Sequence, residues 1–147
     1  MLDRVHALAT SLKAFNDSLR LAKYNIAKQN GLNTSEFEVL VSLNNSLEPL
    51  SIKQLSAELL LCSQAITKIC KHLQQLELID SKKADHDRRV TCVALTSKGR
   101  RVAEQEADYR RSVLMKAMPN AQLADVEQIA QAFSSLNSSA NQLAREI

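Results

Sequence analysis

The sequence predicts a mainly α-helical chain with a small β-hairpin, and three observations carry that expectation. Glycine and proline number only two each in 147 residues, which favours long helices and few tight turns. Apolar residues recur at alternating three- and four-residue steps near both ends of the chain. By contrast, the run Val90-Thr91-Cys92-Val93-Ala94-Leu95-Thr96 alternates and is β-branched, the pattern of a strand.

Residues 3 to 29 read as one long helix. Val5, Leu8, Leu12, Phe15, Leu19, Ala22 and Ile26 form a heptad seam that packs either on the chain's own core or on a second copy. Gly31 is placed to end it. Asn33-Thr34 opens a second helix, with Glu36 in the first turn and Phe37, Val39, Leu40, Val41 and Leu43 making it largely buried. Pro49 disfavours helix at Glu48 and closes it. Ser51 and Gln54 have the spacing of a capping box, so a third helix begins there and should turn Ile52, Leu55, Leu59 and Leu60 inward. A tight turn near Leu61-Cys62 leads into a fourth helix. At about 100° per residue this helix gathers Cys62, Ile66, Ile69, Leu73 and Leu76 on one face. Leu78–Lys83 and Val90–Thr96 are then two strands around a charged tip, Ala84–Arg89. Thr96 caps a helix from Ser97 to about Ala117, and Pro119-Asn120 breaks it. The last helix, about Ala121 to Arg145, steps through Ile129, Phe133, Leu136, Ala140, Leu143 and Ile147.

The outer face of the fourth helix, Gln64, Thr67, Lys68, Lys71 and Gln75, is polar and basic and holds no acid. Thr and Gln can hydrogen-bond base edges, and Lys can reach phosphate or guanine. A solvated surface helix would look the same, but the hairpin that follows points to nucleic acid. Its Lys82, Lys83, Arg88 and Arg89 suit a phosphate backbone or a minor groove. Helix, turn, helix and basic hairpin in this order describe a winged helix-turn-helix. Charge is distributed accordingly. Leu50 to Arg101 holds ten Lys/Arg against five Asp/Glu, and the rest of the chain holds nine against eleven.

Asp87-Arg88-Arg89 followed by Leu95-Thr96-Ser97-Lys98-Gly99 resembles the D-x-R…L-T-x-x-G pattern of MarR-family transcriptional regulators, in order, spacing and total length. The resemblance implies that Asp87 braces Arg89 at the wing tip and that Arg89 enters the minor groove. It implies long dimerisation helices, residues 1–32 and 97–147, around a DNA-binding lobe, residues 33–96. The DNA-contacting set would be Ser63, Gln64, Thr67, Lys68, Lys71, Gln75, Lys82, Lys83, Asp87, Arg88 and Arg89. A homodimer on a near-palindromic double-stranded operator, acting as a repressor released by a small-molecule ligand or an oxidant, is the function implied. Phe15, Arg20, Lys23, Tyr24 and Phe37 would line a pocket for a small aromatic acid. Two positions depart from the family's pattern: Glu77 stands where glycine is common, and Asp80 where a basic residue is common. If residue 77 adopts a positive φ, Glu costs roughly 1 kcal/mol there. The alternative function is a winged-helix protein-interaction module without DNA binding.

Other chemistry finds no support. His6, His72 and His86 form no metal-ligand spacing, no glycine-rich phosphate loop exists, and no hydrolase triad is visible. The reading is therefore a non-enzyme without cofactor or metal. Cys62, Cys70 and Cys92 are expected as free thiols. Cys70 and Cys92 read as small core residues. Cys62, at a helix N-terminus where the dipole favours negative charge, is the redox candidate. With no signal peptide and no apolar run near ~20 residues, a cytoplasmic protein without a membrane partner is expected.

Overall fold

The computed structural model describes all residues, Met1–Ile147. In chain order the elements are α1 (Leu2–Gln29), α2 (Thr34–Asn45), β1 (Leu50–Ser51), α3 (Ile52–Leu59), α4 (Ser63–Gln75), β2 (Ile79–Lys83), β3 (Thr91–Leu95), α5 (Ser97–Ala117) and α6 (Leu123–Arg145). They divide into two compact units, Met1–Arg111 and Ser112–Ile147. The mainly α class with a hairpin wing is as the sequence predicts.

The first unit is built on α2. Phe37, Val39 and Leu40 are fully buried, and Leu55 of α3, Ile66 and Leu73 of α4, Ile79 of β2 and Val93 of β3 close around them. Burying such side chains contributes about 1.5–3 kcal/mol each, so this cluster dominates the stability of the unit. Helix starts follow the expected chemistry. The Asn33 side chain accepts from the Glu36 N–H and the Glu36 carboxylate accepts from the Asn33 N–H, each at 2.9 Å. Ser51 and Gln54 form the same reciprocal box at the head of α3.

The seam of α1 is divided. Ile26 of the seam packs against the core beside the buried Ala27, whereas Val5, Leu8 and Phe15 stay exposed. Leu60 is a correction: it is 89% exposed rather than inward. It ends α3 in the left-handed conformation, φ +55°, which swings its side chain off the buried face.

The sheet has one strand more than the sequence suggests. Its order is β1-β3-β2, all antiparallel, with Leu50 opposite Val93 and Ser51 opposite Cys92 on one side. Two residues are too few to show alternation, so β1 is invisible in sequence. On the other side Ile79 pairs with Leu95 and Lys83 with Thr91, giving the wing.

The junction between α4 and the wing explains the Leu-Thr-x-x-Gly motif. Past Leu76 the chain turns through Glu77 at φ +60°. The Leu78 N–H donates to the Leu73 carbonyl at 2.9 Å and the Glu77 N–H to that of Gln74 at 3.0 Å, which is a Schellman closure. The Thr96 hydroxyl donates to the Glu77 carbonyl at 2.7 Å and accepts from the Gly99 N–H at 3.0 Å. The Thr96 N–H donates to the Leu78 carbonyl. One threonine thus caps α5 and ties it to the end of α4. Because Glu77 does occupy the left-handed region, Glu77→Gly is expected to stabilise the protein by about 1 kcal/mol. A thermal denaturation midpoint that does not rise would refute this.

The second unit holds the end of α5 and all of α6. At the head of α6, which starts two residues later than the sequence suggests, the Asp125 carboxylate accepts from the Gln122 N–H at 2.9 Å. None of its residues is buried. Ile129, Phe133, Leu136 and Leu143 are exposed, and Phe133 and Leu136 are each 45% exposed.

Candidate nucleic-acid interface

Helix α4 turns Ile66, Cys70 and Leu73 into the core. Its opposite face is open. Ser63, Gln64, Thr67, Lys68 and Lys71 line one surface groove of about 420 Å³, and Gln75 lies beyond it with Lys71 and Gln74. The sequence-predicted reading residues are therefore brought together on one helix face. The Thr67 hydroxyl donates to the Ser63 carbonyl at 2.8 Å, which leaves its lone pairs as the groups free for an incoming donor.

The wing carries the rest of the set. Lys82, Lys83, Asp87, Arg88 and Arg89 are all exposed. The tip is closed by the Ala84 N–H to the Val90 carbonyl at 2.9 Å and the Val90 N–H to the Asp87 carbonyl at 3.0 Å. Asp87 acts on Arg89 through the backbone: its Oδ1 accepts from the Arg89 N–H at 2.9 Å. No carboxylate lies within 4.0 Å of the Arg89 guanidinium, so the aspartate shapes the turn and leaves the arginine charge uncompensated.

That holds for the whole segment. Ion pairs in the molecule involve Lys13, Arg20, Lys23, Arg110 and Arg111, and His72 meets the Glu36 carboxylate. None of the ten Lys and Arg between Leu50 and Arg101 has a carboxylate within pairing distance. Lys83 and Lys98 donate to neutral oxygens, of Thr91 and Leu76 respectively. Sequence reasoning left Lys53, Arg100 and Arg101 out of the contact set, although all three are exposed and unpaired. Their signal was the regional charge count. It also missed Gln74, whose Oε1 faces the Ser81 hydroxyl of β2 at 3.4 Å.

The cysteines differ in access. Cys62 is exposed at the N-cap of α4, outside the apolar face on which helical spacing placed it. Cys70 is buried, and burial pushes its thiol up to about 11. Cys92 is half-buried in β3.

The residues suggested for a ligand pocket are not all together. Arg20, Lys23 and Tyr24 line a depression of about 710 Å³ with Asp17, Leu21, Thr34 and Glu38. Phe37 is fully buried in the core and does not line it, and Phe15 lies outside it. The cations there already face acids. Lys23 Nζ is 2.9 Å from Glu38 Oε1, and Arg20 is 3.6 Å from Asp17. The hydrogen bond and then the charge of Lys13 hold the Asp17 carboxyl below its ordinary value. An incoming carboxylate would have to displace these partners. No group of three or more His, Cys, Asp or Glu is placed to hold a metal ion. No helix is long and apolar enough to cross a membrane.

Comparison with known proteins matches this geometry. A family model for the MarR family matches residues 30–90. The HTH-type transcriptional regulator MhqR of Bacillus subtilis (strain 168) is 40% identical over 71 residues, which cover 48% of this chain and 48% of that relative. The match thus spans about half the length of the curated relative. Among solved structures, Streptococcus pneumoniae FabT in complex with DNA superposes with a TM-score of 0.72 at 19% identity, over 97% of this chain and 99% of that one. A mutant of MepR from a multidrug-resistant S. aureus clinical isolate gives 0.76 at 13% identity, over 90% and 96%. At these identities the likeness to the solved structures is one of fold.

Proposed function

We propose that the protein is a MarR-family transcription regulator, a dimeric, sequence-specific repressor that binds double-stranded DNA through α4 and the wing, a reading supported by the match of residues 30–90 to the MarR family model and by the likeness of about half the chain to a transcriptional regulator. The observation that carries the proposal is the unpaired charge between Leu50 and Arg101. A cluster of cations without local counter-charge is the electrostatic footprint of a surface that meets phosphate. The residues proposed for contact are Ser63, Gln64, Thr67, Lys68, Lys71, Gln75, Lys82, Lys83, Asp87, Arg88 and Arg89. The test is a salt titration of the wild-type protein on random duplex DNA. Measurable affinity at low salt that falls steeply as salt rises supports the proposal. Little affinity at any salt favours the alternative, a winged-helix protein-interaction module.

A second copy of the chain is the proposed cover for the exposed apolar residues of α1 and α6, so residues 1–32 and 97–147 act as dimerisation helices in this reading. Val5, Leu8 and Phe15 on one helix, and Ile129, Phe133 and Leu136 on the other, are exposed at heptad spacing, the pattern of a helix face that packs on a partner. Sedimentation at micromolar concentration should give a dimer, and Phe133→Asp should shift it towards monomer. A folded wild-type monomer at that concentration would sink this part of the proposal. Release from DNA is assigned to a small acid at the depression beside Arg20, Lys23 and Tyr24, or to oxidation at exposed Cys62.

A further inference from the structure

We infer that the hydrogen bond between His72 and Glu36 fixes the rotation of α4 about its axis, which makes His72 a positioning residue for base reading; the inference rests on the DNA-binding function proposed above. His72 Nδ1 lies 2.6 Å from Glu36 Oε1. No other side-chain hydrogen bond joins α4 to α2. Against α2 the remaining hold on α4 is apolar, through Ile66, Cys70 and Leu73, and the polar ties to the wing and α5 lie at its C-terminal end, at Gln74, Leu76 and Glu77. Apolar burial is non-directional: it decides which face is inward but tolerates small rotations. A hydrogen bond is directional and weakens steeply when bent.

Glu36 is a rigid anchor. It is only 8% exposed, and its second carboxylate oxygen accepts from the Asn33 N–H at 2.9 Å. Its own N–H is held by the Asn33 side chain, and its helix carries the fully buried Phe37, Val39 and Leu40. His72 follows Lys71 directly and lies four residues after Lys68, so it shares the Lys68 side of α4. Asn33, Thr34, Ser35, Glu36, Lys68 and His72 line one groove of about 480 Å³ with Ala65 and Ile69. The lever is short and effective. A rotation of about 10° moves a side-chain tip at a radius of roughly 5–6 Å by about 1 Å. That displacement exceeds the tolerance of a base-edge hydrogen bond.

The experiment compares His72→Leu, which removes the bond, with His72→Asn, whose amide nitrogen takes the place of Nδ1. Duplexes enriched by the wild-type protein from a randomised pool serve as probe, with the unselected pool as reference. His72→Leu is expected to lose roughly tenfold in the ratio of selected to unselected affinity, while binding to the unselected pool stays near wild type and the thermal midpoint falls, because the nearly buried Glu36 carboxylate loses a partner. His72→Asn should restore the ratio. Residual dipolar couplings of the α4 amides, referred to those of α2, should change in His72→Leu and not in His72→Asn. Wild-type ratio and couplings in His72→Leu would overturn the inference while leaving DNA binding intact. Absence of wild-type binding to the pool at low salt would overturn the DNA-binding proposal and, with it, the base-reading role of His72.

Discussion

Gly99→Ala should destabilise the protein by about 3 kcal/mol, the upper end of common overpacking penalties. A Cβ built on Gly99 falls 1.9 Å from the Leu78 carbonyl oxygen and 2.9 Å from its carbon. Both obstructing atoms are backbone, so no rotamer change relieves the clash. The Leu78 carbonyl cannot retreat freely either. It accepts from the Thr96 N–H at 3.1 Å, and the N–H of the same residue closes the end of α4 onto Leu73. Making room therefore means loosening the closure of α4, the cap of α5 or the first pair of the wing. Gly31 supplies the control. It has φ +70° with nothing within 4 Å of its Cβ position, so Gly31→Ala should cost only the left-handed strain of about 1–2 kcal/mol. Urea denaturation of both variants measures the difference. Equal midpoints for Gly99→Ala and wild type would mean that the α4–α5 clamp is not as close as described.

The same clamp shows what sequence could and could not convey. The glycine and threonine are visible as a motif, but the motif alone does not say that the threonine hydroxyl serves two helices or that the glycine faces a carbonyl. Helix starts were legible because Asn33, Ser51 and Thr96 satisfy orphan N–H groups by local chemistry that spacing reveals. Leu60 was misread because helical periodicity assumes the helix continues, and one left-handed residue ends that assumption. β1 was missed because it exists only through pairing with β3, a long-range contact without local signature. Within the candidate interface, the outer face of α4 followed directly from the 100° period. The backbone role of Asp87 did not, since sequence cannot distinguish an aspartate that pairs with a guanidinium from one that accepts from an N–H two residues on. Phe37 was offered to a pocket through the family resemblance, whereas the apolar pattern of α2 had already marked it for burial, and it is fully buried in the core. The partners of Arg20 and Lys23 followed the same divide: Asp17 lies three residues from Arg20, but Glu38 meets Lys23 only through the packing of α2 on α1.

Removing charge from α4 and the wing should produce the largest change in DNA affinity, and the salt dependence should identify which charges meet phosphate. Each phosphate contact adds about 0.9 to the slope of log affinity against log salt. A dimer presents every side chain twice, so Lys68→Ala or Lys71→Ala should lower the slope by about two if both copies contact phosphate. Affinity for operator and random DNA should then fall alike. Arg89→Ala should cost roughly 1–3 kcal/mol on the specific site, because its guanidinium has no acid partner to compete with a groove or a phosphate. Asp87→Ala should reproduce part of that loss by releasing the Arg89 N–H and loosening the turn. Gln64→Ala should behave differently, eroding discrimination at particular base pairs with little change on random DNA. The two copies of α4 should reach successive major grooves about 34–36 Å apart, so the selected site should be a near-palindrome with half-sites one turn apart. Far-ultraviolet circular dichroism controls for folding, and these exposed positions should leave it unchanged. If Lys68→Ala, Lys71→Ala, Gln64→Ala and Arg89→Ala all match wild type on both DNAs across the salt range, the unpaired charge of this segment serves some other partner and the repressor proposal fails.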